Sequence, residues 1–272
     1  MRIFRVGFSA AVAVSAAVAG LVSGIAAPAA NAANTVNYVA LGDSYSSGDG
    51  AGNYLSASGS CDRSADAFPE LWAAAHPSAT FVSVACSSAT TASVISSQIR
   101  ALSAKTTLVS ITIGGNDAGF SSVMETCVLS LTSSRCLKAV ATAETFVADQ
   151  LPTRLDQVLR AIAAAAPNAR VVVLGYPDLY DLSRSGSCLG LSTSDRTALN
   201  QGANDLDSAL QAAAAQFRSD VYANVRGQFT GHEICDSDSW LHSVDLLAIS
   251  SSYHPTAAGQ EFGYLPAFSA DA

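Results

Sequence analysis

Val39-Ala40-Leu41-Gly42-Asp43-Ser44-Tyr45-Ser46-Ser47-Gly48 starts as an apolar, β-prone run and breaks abruptly into Gly-Asp-Ser. A buried strand that ends this way delivers a small polar side chain to the rim of a sheet. In open α/β sheets, ligands bind at that rim, beyond the carboxyl ends of the strands. Ser44 is therefore a candidate nucleophile. Read alone, the tripeptide is equally an ordinary turn or helix cap, because all three residues favour those positions. The rest of the chain has to decide.

Four more runs read as strands: Thr80 to Ala85, Leu108 to Ile113, Ala169 to Leu174 and Asp220 to Val225, with Val36 to Leu41 as the first. Between them the apolar spacing turns helical. Phe68 to Ala75 is a short helix with Pro69 in its first turn. From Lys138 to Ala166, Val147, Leu151, Leu155, Val158, Leu159 and Ile162 recur at spacings of three and four, and Pro152 divides the region. Ser194 to Phe217 is a further amphipathic helix, and Thr256 to Phe262 begins a last one. Strands alternating with helices imply an α/β fold with one parallel sheet covered on both faces. No linker and no repeat interrupts it. Gly48-Asp49-Gly50-Ala51-Gly52 does not have the spacing of a dinucleotide fingerprint, and no helical pattern follows it directly. It reads as a flexible loop.

The chain has 272 residues, of which 13% are charged, about half the usual fraction. A formal net charge of −8 without a Lys/Arg run argues against a nucleic-acid partner. Arg2 and Arg5 precede an uncharged stretch from Val6 to Ala30, then Ala30-Asn31-Ala32. This is the layout of a secretory signal peptide, and its Ala and Gly content argues against a membrane anchor. Six cysteines (Cys61, Cys86, Cys127, Cys136, Cys188 and Cys235) fit export and disulfides. None has the C-x-x-C spacing zinc prefers, so no metal is expected. His232-Glu233 lacks a third ligand, and His76 and His242 carry no motif and are read as solvated.

Three strand ends supply polar groups: Ser44, a Ser-rich turn around Ser88, and Gly115-Asn116-Asp117. Near the C-terminus, Ser251-Ser252-Tyr253-His254-Pro255-Thr256 supplies a histidine. In that order, Gly42-Asp43-Ser44, Gly115-Asn116-Asp117 and His254-Pro255-Thr256 resemble the blocks of the GDSL, or SGNH, family of serine hydrolases. The similarity looks greatest to its secreted actinobacterial lipase and phospholipase branch. The resemblance implies a flavodoxin-like three-layer α/β/α sandwich on a five-stranded parallel sheet. With the signal-like leader taken as 1–32, the catalytic domain is 33–272, and the resemblance runs from about Val36 to the C-terminus.

The same resemblance assigns roles. Ser44 becomes the nucleophile and His254 the base that takes its proton. The oxyanion hole would be the backbone N–H groups of Ser44 and Ser88 with the Asn116 side chain. Order along the chain and the family likeness pair Cys61 with Cys86, Cys127 with Cys136, and Cys188 with Cys235. Two departures stand out. The family usually has glycine where this chain has Ser88, so the backbone there must avoid a glycine-only conformation. Many members have aspartate three residues before the histidine, where this chain has Ser251. A Ser–His dyad is expected, with a carbonyl at Ser251 or Ser252 orienting the imidazole. An aspartate from elsewhere in the fold is the alternative.

Asp43 and Asp117 are read as loop-orienting groups. Tyr45, Tyr54, Phe120, Tyr176 and Tyr253 are candidates for an acyl groove, and Gly119 to Arg135 for a mobile flap. The resemblance implies a monomer that needs no cofactor and acts on a lipid or small ester, touching lipid surfaces transiently. A polysaccharide acetyl esterase and a catalytically inactive secreted binding protein are the rival readings.

Overall fold

The structure, a computed structural model, describes residues 1–4, 7, 9–11, 35–130, 132–184, 188, 191–244 and 251–272. The chain divides into two units, Met1–Asn34 and Thr35–Ala272. Most of the expected leader, with its Ala30-Asn31-Ala32 site, falls outside the described residues. No helix among the described residues is long and apolar enough to cross a membrane.

In the second unit the five runs form β1 (Asn37–Gly42), β2 (Thr80–Ser83), β3 (Leu108–Thr112), β4 (Arg170–Leu174) and β5 (Asp220–Ala223). They pair in the order β2-β1-β3-β4-β5, every neighbour parallel, which bears out the expected fold class. The sequence pattern explains the order. β1 and β3 are apolar almost throughout and buried on both faces, as the middle of a parallel sheet requires. β2 keeps Thr80 and Val82 exposed and lies at an edge.

Nine α-helices complete the described residues: α1 (Ser44–Ser47), α2 (Phe68–Ala75), α3 (Thr91–Ser96), α4 (Phe120–Leu129), α5 (Ser133–Asp149), α6 (Leu151–Ala165), α7 (Thr193–Ala214), α8 (Arg226–Phe229) and α9 (Leu265–Asp271). α2 and α9 pack together on one side of the sheet, where Tyr38 of β1 meets Trp72 and Phe268. α3, α6 and α7 form the other layer, and α4 and α5 extend it. α6 places Leu151, Leu155, Val158, Leu159 and Ile162 in the core, at the spacing the sequence shows. Pro152 lies in its first turn, where its missing N–H costs nothing, so the long periodic region becomes α5 and α6.

Two expectations change. The last helix does not run regularly from Thr256. Gly259–Tyr264 is a turn of π-helix that leads into α9. Pro266 has no N–H to bond back four residues, and a widened turn absorbs the break in the ladder. Gly119 to Arg135, expected as a flap, contains α4, which the Cys127–Cys136 bridge ties to α5. The other bridges join Cys61 to Cys86 and Cys188 to Cys235, so all three follow chain order.

Ile162 is fully buried under the sheet. Ile162→Ala should lower the unfolding free energy by about 2–5 kcal/mol, and Ile162→Val by about 0.5–1.5 kcal/mol. Urea melts of the two variants check the graded loss.

Candidate active site

β1 is flanked by β2 and β3, so successive connections leave it in opposite directions and a crevice opens between β1 and β3. Such switch points hold the ligand in open α/β sheets. Here Gly42-Asp43-Ser44 leaves β1, and Gly114-Gly115-Asn116 leaves β3. Gly42 has φ +121°, and a Cβ there would sit 2.5 Å from the Thr112 carbonyl oxygen, so only glycine lets the two strand ends lie this close. The Gln98 carboxamide clamps the turn, accepting from Gly42 N at 2.7 Å and donating to Gly42 O at 2.9 Å. Asp43 then caps α1 by accepting from Tyr45 N, which sets Ser44 in the first turn of that helix.

Ser44 Oγ lies 2.7 Å from His254 Nε2. Several contacts hold the imidazole in place. The Tyr45 hydroxyl donates to Tyr253 O at 2.7 Å. His242 N donates to His254 O, and Tyr253 N to His242 O, both at 2.9 Å. His254 N donates to Ser251 O at 3.2 Å. Tyr253 itself has φ +68°, a conformation that costs a bulky residue energy and persists only where its surroundings impose it. His242, read as solvated, is instead half-buried in this ladder, and its Nε2 lies 2.7 Å from Gly50 O.

Ser88 has φ +62°, inside the left-handed region, and so avoids a glycine-only conformation. This is the small basin open to L-residues at a modest cost. The turn around it is tied down. Ser87 Oγ donates to the buried Asp49 carboxylate at 2.8 Å, Ser87 N donates to Cys61 O, and the Cys61–Cys86 bridge closes beside them. Asn116 Nδ2 donates to Ala89 O at 3.0 Å, which couples this turn to the end of β3. Asp117 is a loop anchor, as read: it accepts from Thr91 N and Thr91 Oγ1 at 2.8 and 2.6 Å.

Ser44, Ser88, Asn116, Ser252 and His254 line one cavity of about 280 Å³. A narrower cavity of about 70 Å³ leaves Ser44, Asn116 and His254 on another side and runs between α4, α5 and α7. Tyr45, Phe120 and Tyr176 line this second space, and Tyr253 lines the first. Tyr54 lines neither and is half-exposed, bonded to Gly50 N. Among the described residues no three His, Cys, Asp or Glu side chains group as metal ligands. His232 stacks on Trp240, and His76, which is exposed, stacks on Trp72.

Asp43 is buried, with its oxygens facing Thr112 Oγ1 at 2.6 Å, Tyr45 N at 3.1 Å and the Tyr176 hydroxyl. Burial pushes its carboxyl from 3.8 up to about 6, against the pull of those three donors. Tyr45 and Tyr176 are pushed upward too, chiefly by burial and then by the Asp43 charge, so both stay phenols that donate. Between about pH 4 and pH 6 the native state therefore holds a proton on Asp43 that the unfolded chain has lost. This group's contribution to stability falls as pH rises through that window. Asp207 and Asp220, also pushed to about 6, act in the same sense. Asp43→Asn should remove roughly 2–3 kcal/mol of that pH dependence, read as the difference between variant and parent urea-melt series across the window.

A family model described as the GDSL-like Lipase/Acylhydrolase family matches residues 40–262. Lipase 1 of Streptomyces coelicolor is 54% identical over 269 residues, 98% of each chain. A lipase of Streptomyces rimosus is 47% identical over 267 residues, again 98% of each. Among solved structures, phospholipase A1 from Streptomyces albidoflavus NA297 superposes with a TM-score of 0.84 at 52% identity, over 88% of this chain and 100% of that one. The extracellular lipase of Streptomyces rimosus does so with a TM-score of 0.84 at 48% identity and the same coverage. With Gly42-Asp43-Ser44, Asn116 and His254 gathered at one switch point and the family match spanning most of the sheet, the chain belongs to the GDSL-like lipase/acylhydrolase family.

Proposed function

We propose that this protein is a secreted carboxylic ester hydrolase of the lipase or phospholipase A1 type, acting through a Ser44–His254 dyad and an acyl-enzyme. The observation that carries the reading is the 2.7 Å approach of Ser44 Oγ to His254 Nε2 inside a cavity that Asn116 and Ser88 also line. A serine hydroxyl is a weak nucleophile until a base takes its proton. His254 Nε2 takes it as Oγ attacks the ester carbonyl. The negative oxygen that forms needs fixed donors, and the N–H groups of Ser44 and Ser88 and the Asn116 carboxamide supply them. His254 then returns the proton to the departing alcohol oxygen. In the second half, His254 takes a proton from water as its oxygen attacks the acyl carbonyl; the bond to Ser44 Oγ then breaks, His254 returns the proton to Oγ, and the carboxylic acid leaves. A main-chain carbonyl at Ser251 or Ser252 fixes the imidazole's tautomer in place of a carboxylate.

The relatives' names, lipase and phospholipase A1, support long acyl esters over acetyl groups. So does the apolar cavity between α4, α5 and α7. Leu129, on the wall of the larger cavity, is well exposed and offers a contact for a lipid surface. The leader-like N-terminus, three disulfides and an extracellular relative support secretion of the domain 33–272.

Ser44→Ala should abolish turnover of a chromogenic ester and labelling by an organophosphonate while leaving the thermal melt unchanged. Labelling of the parent at any other residue would remove Ser44 from its role, and no labelling at all would favour the inactive binding protein. Asn116→Ala should lower kcat by about 10²–10³. Faster turnover of acetylated xylan than of long-chain esters would favour the acetyl esterase. Tyr45→Phe keeps the ring and removes only the hydroxyl that holds Tyr253 O. We expect kcat about tenfold lower with little change in KM, because the imidazole loses alignment and binding does not.

A further inference from the structure

Gly202 lies in the middle of α7, the one glycine in that helix. Glycine in a helix interior destabilises it relative to alanine, so its presence calls for a local reason. Backbone conformation gives none, since Gly202 has no positive φ. Packing gives none either. A Cβ built there meets a single atom, Val140 Cγ1, at an ordinary 3.8 Å. Gly259 and Gly263 are different. A Cβ at Gly259 would lie 2.5 Å from Trp240 O and one at Gly263 2.3 Å from Phe229 Cε2, so those two are required by their neighbours.

The space that Gly202 leaves open belongs to the narrow apolar cavity, which Val140, Ala143, Ala203 and Leu206 also line. Leu206 marks its near end: its Cδ1 is 3.2 Å from where a Gly114 Cβ would be, beside the turn that carries Asn116. Gly202 is four residues back along α7, about 6 Å from Leu206 along the helix axis. Leu199 also lines the cavity, so the cavity continues past Gly202. A short acyl chain ends before Gly202, and a long one has to pass it.

We propose that Gly202 sets the length of acyl chain this enzyme accepts, by keeping the cavity between α5 and α7 open. The inference rests on the reading of the protein as an ester hydrolase. The test compares the parent, Gly202→Ala and Gly202→Leu on p-nitrophenyl butyrate, octanoate and palmitate. It also measures binding of a fluorescent long-chain fatty acid, cis-parinaric acid. Gly202→Leu should lower the palmitate-to-butyrate ratio of kcat/KM at least tenfold and weaken parinarate binding by a similar factor. Gly202→Ala, whose methyl group has clearance, should shift both in the same direction by about threefold, and it decides the matter if the leucine variant does not fold. Ratios and parinarate affinities within twofold of the parent would overturn the assignment of Gly202. A parent that hydrolyses none of the three esters would overturn the hydrolase reading instead. Parinarate binding lost in the variants would then still support Gly202 as a gate of the cavity.

Discussion

Everything at the rim depends on holding two segments together that are 210 residues apart, Ser44 near the start of the folded unit and His254 near its end. Closing a loop of that length is entropically unfavourable, although the cost grows only slowly with length. One hydrogen bond between two side chains is too weak to do it, since its net worth in water is about 1 kcal/mol. The chain uses a row of contacts instead. Tyr45 reaches Tyr253 O from one side. The fully buried Gln260 donates to Tyr45 O and accepts from Phe68 N, both at 3.0 Å. Aromatic packing of Tyr264 against Phe68 and Phe229 extends the same seam. The Ser44 hydroxyl and the His254 imidazole thus meet because the backbone on either side of each is already fixed. Their own bond is left free to be broken and remade.

The contacts of Asp43 show why the residue before Ser44 is acidic. Three donors converge on it: a threonine hydroxyl, a backbone N–H and a tyrosine hydroxyl. A carboxylate accepts on both oxygens, whereas an asparagine must present an NH2 group on one side. The position therefore selects aspartate for its acceptor count. Burial makes the charged form costly, and the donors return part of that cost, which leaves the group poised near the middle of the mildly acidic range.

How much of this was legible in the sequence follows from which signals are local. β1 and β3 read clearly because strands buried on both faces show nearly continuous apolar runs, and α6 because its five core residues repeat at helical spacing. The break at Pro152 is a local chemical fact. Gly42-Asp43-Ser44 and His254 were found from residue type and order. Missed elements were those whose cause is tertiary. α4 has little amphipathic pattern and is held by a disulfide to α5. His242 carries no motif, and its position comes from pairing backbone to backbone with His254. The π-turn had a visible cause in Pro266, but its consequence is the placement of Gln260 against Tyr45, which no local pattern announces.

Backbone conformation ties these threads together. Gly42, Ser88 and Tyr253 are among the residues at the site with positive φ, as are Gly50 and Gly114. Gly42, at +121°, is outside any basin open to other residues and needs glycine on steric grounds as well. Ser88 and Tyr253, at +62° and +68°, occupy the small left-handed basin at some energetic expense. Each is cross-braced. Ser88 stands between a disulfide, the Ser87–Asp49 bond and the Asn116–Ala89 bond. Tyr253 stands between Tyr45 and His242. The cross-links that look like general stabilisation are concentrated where the backbone is least willing. That is why a serine can occupy the position its family usually gives to glycine: the bonds on either side hold the turn at a φ that an L-residue can adopt.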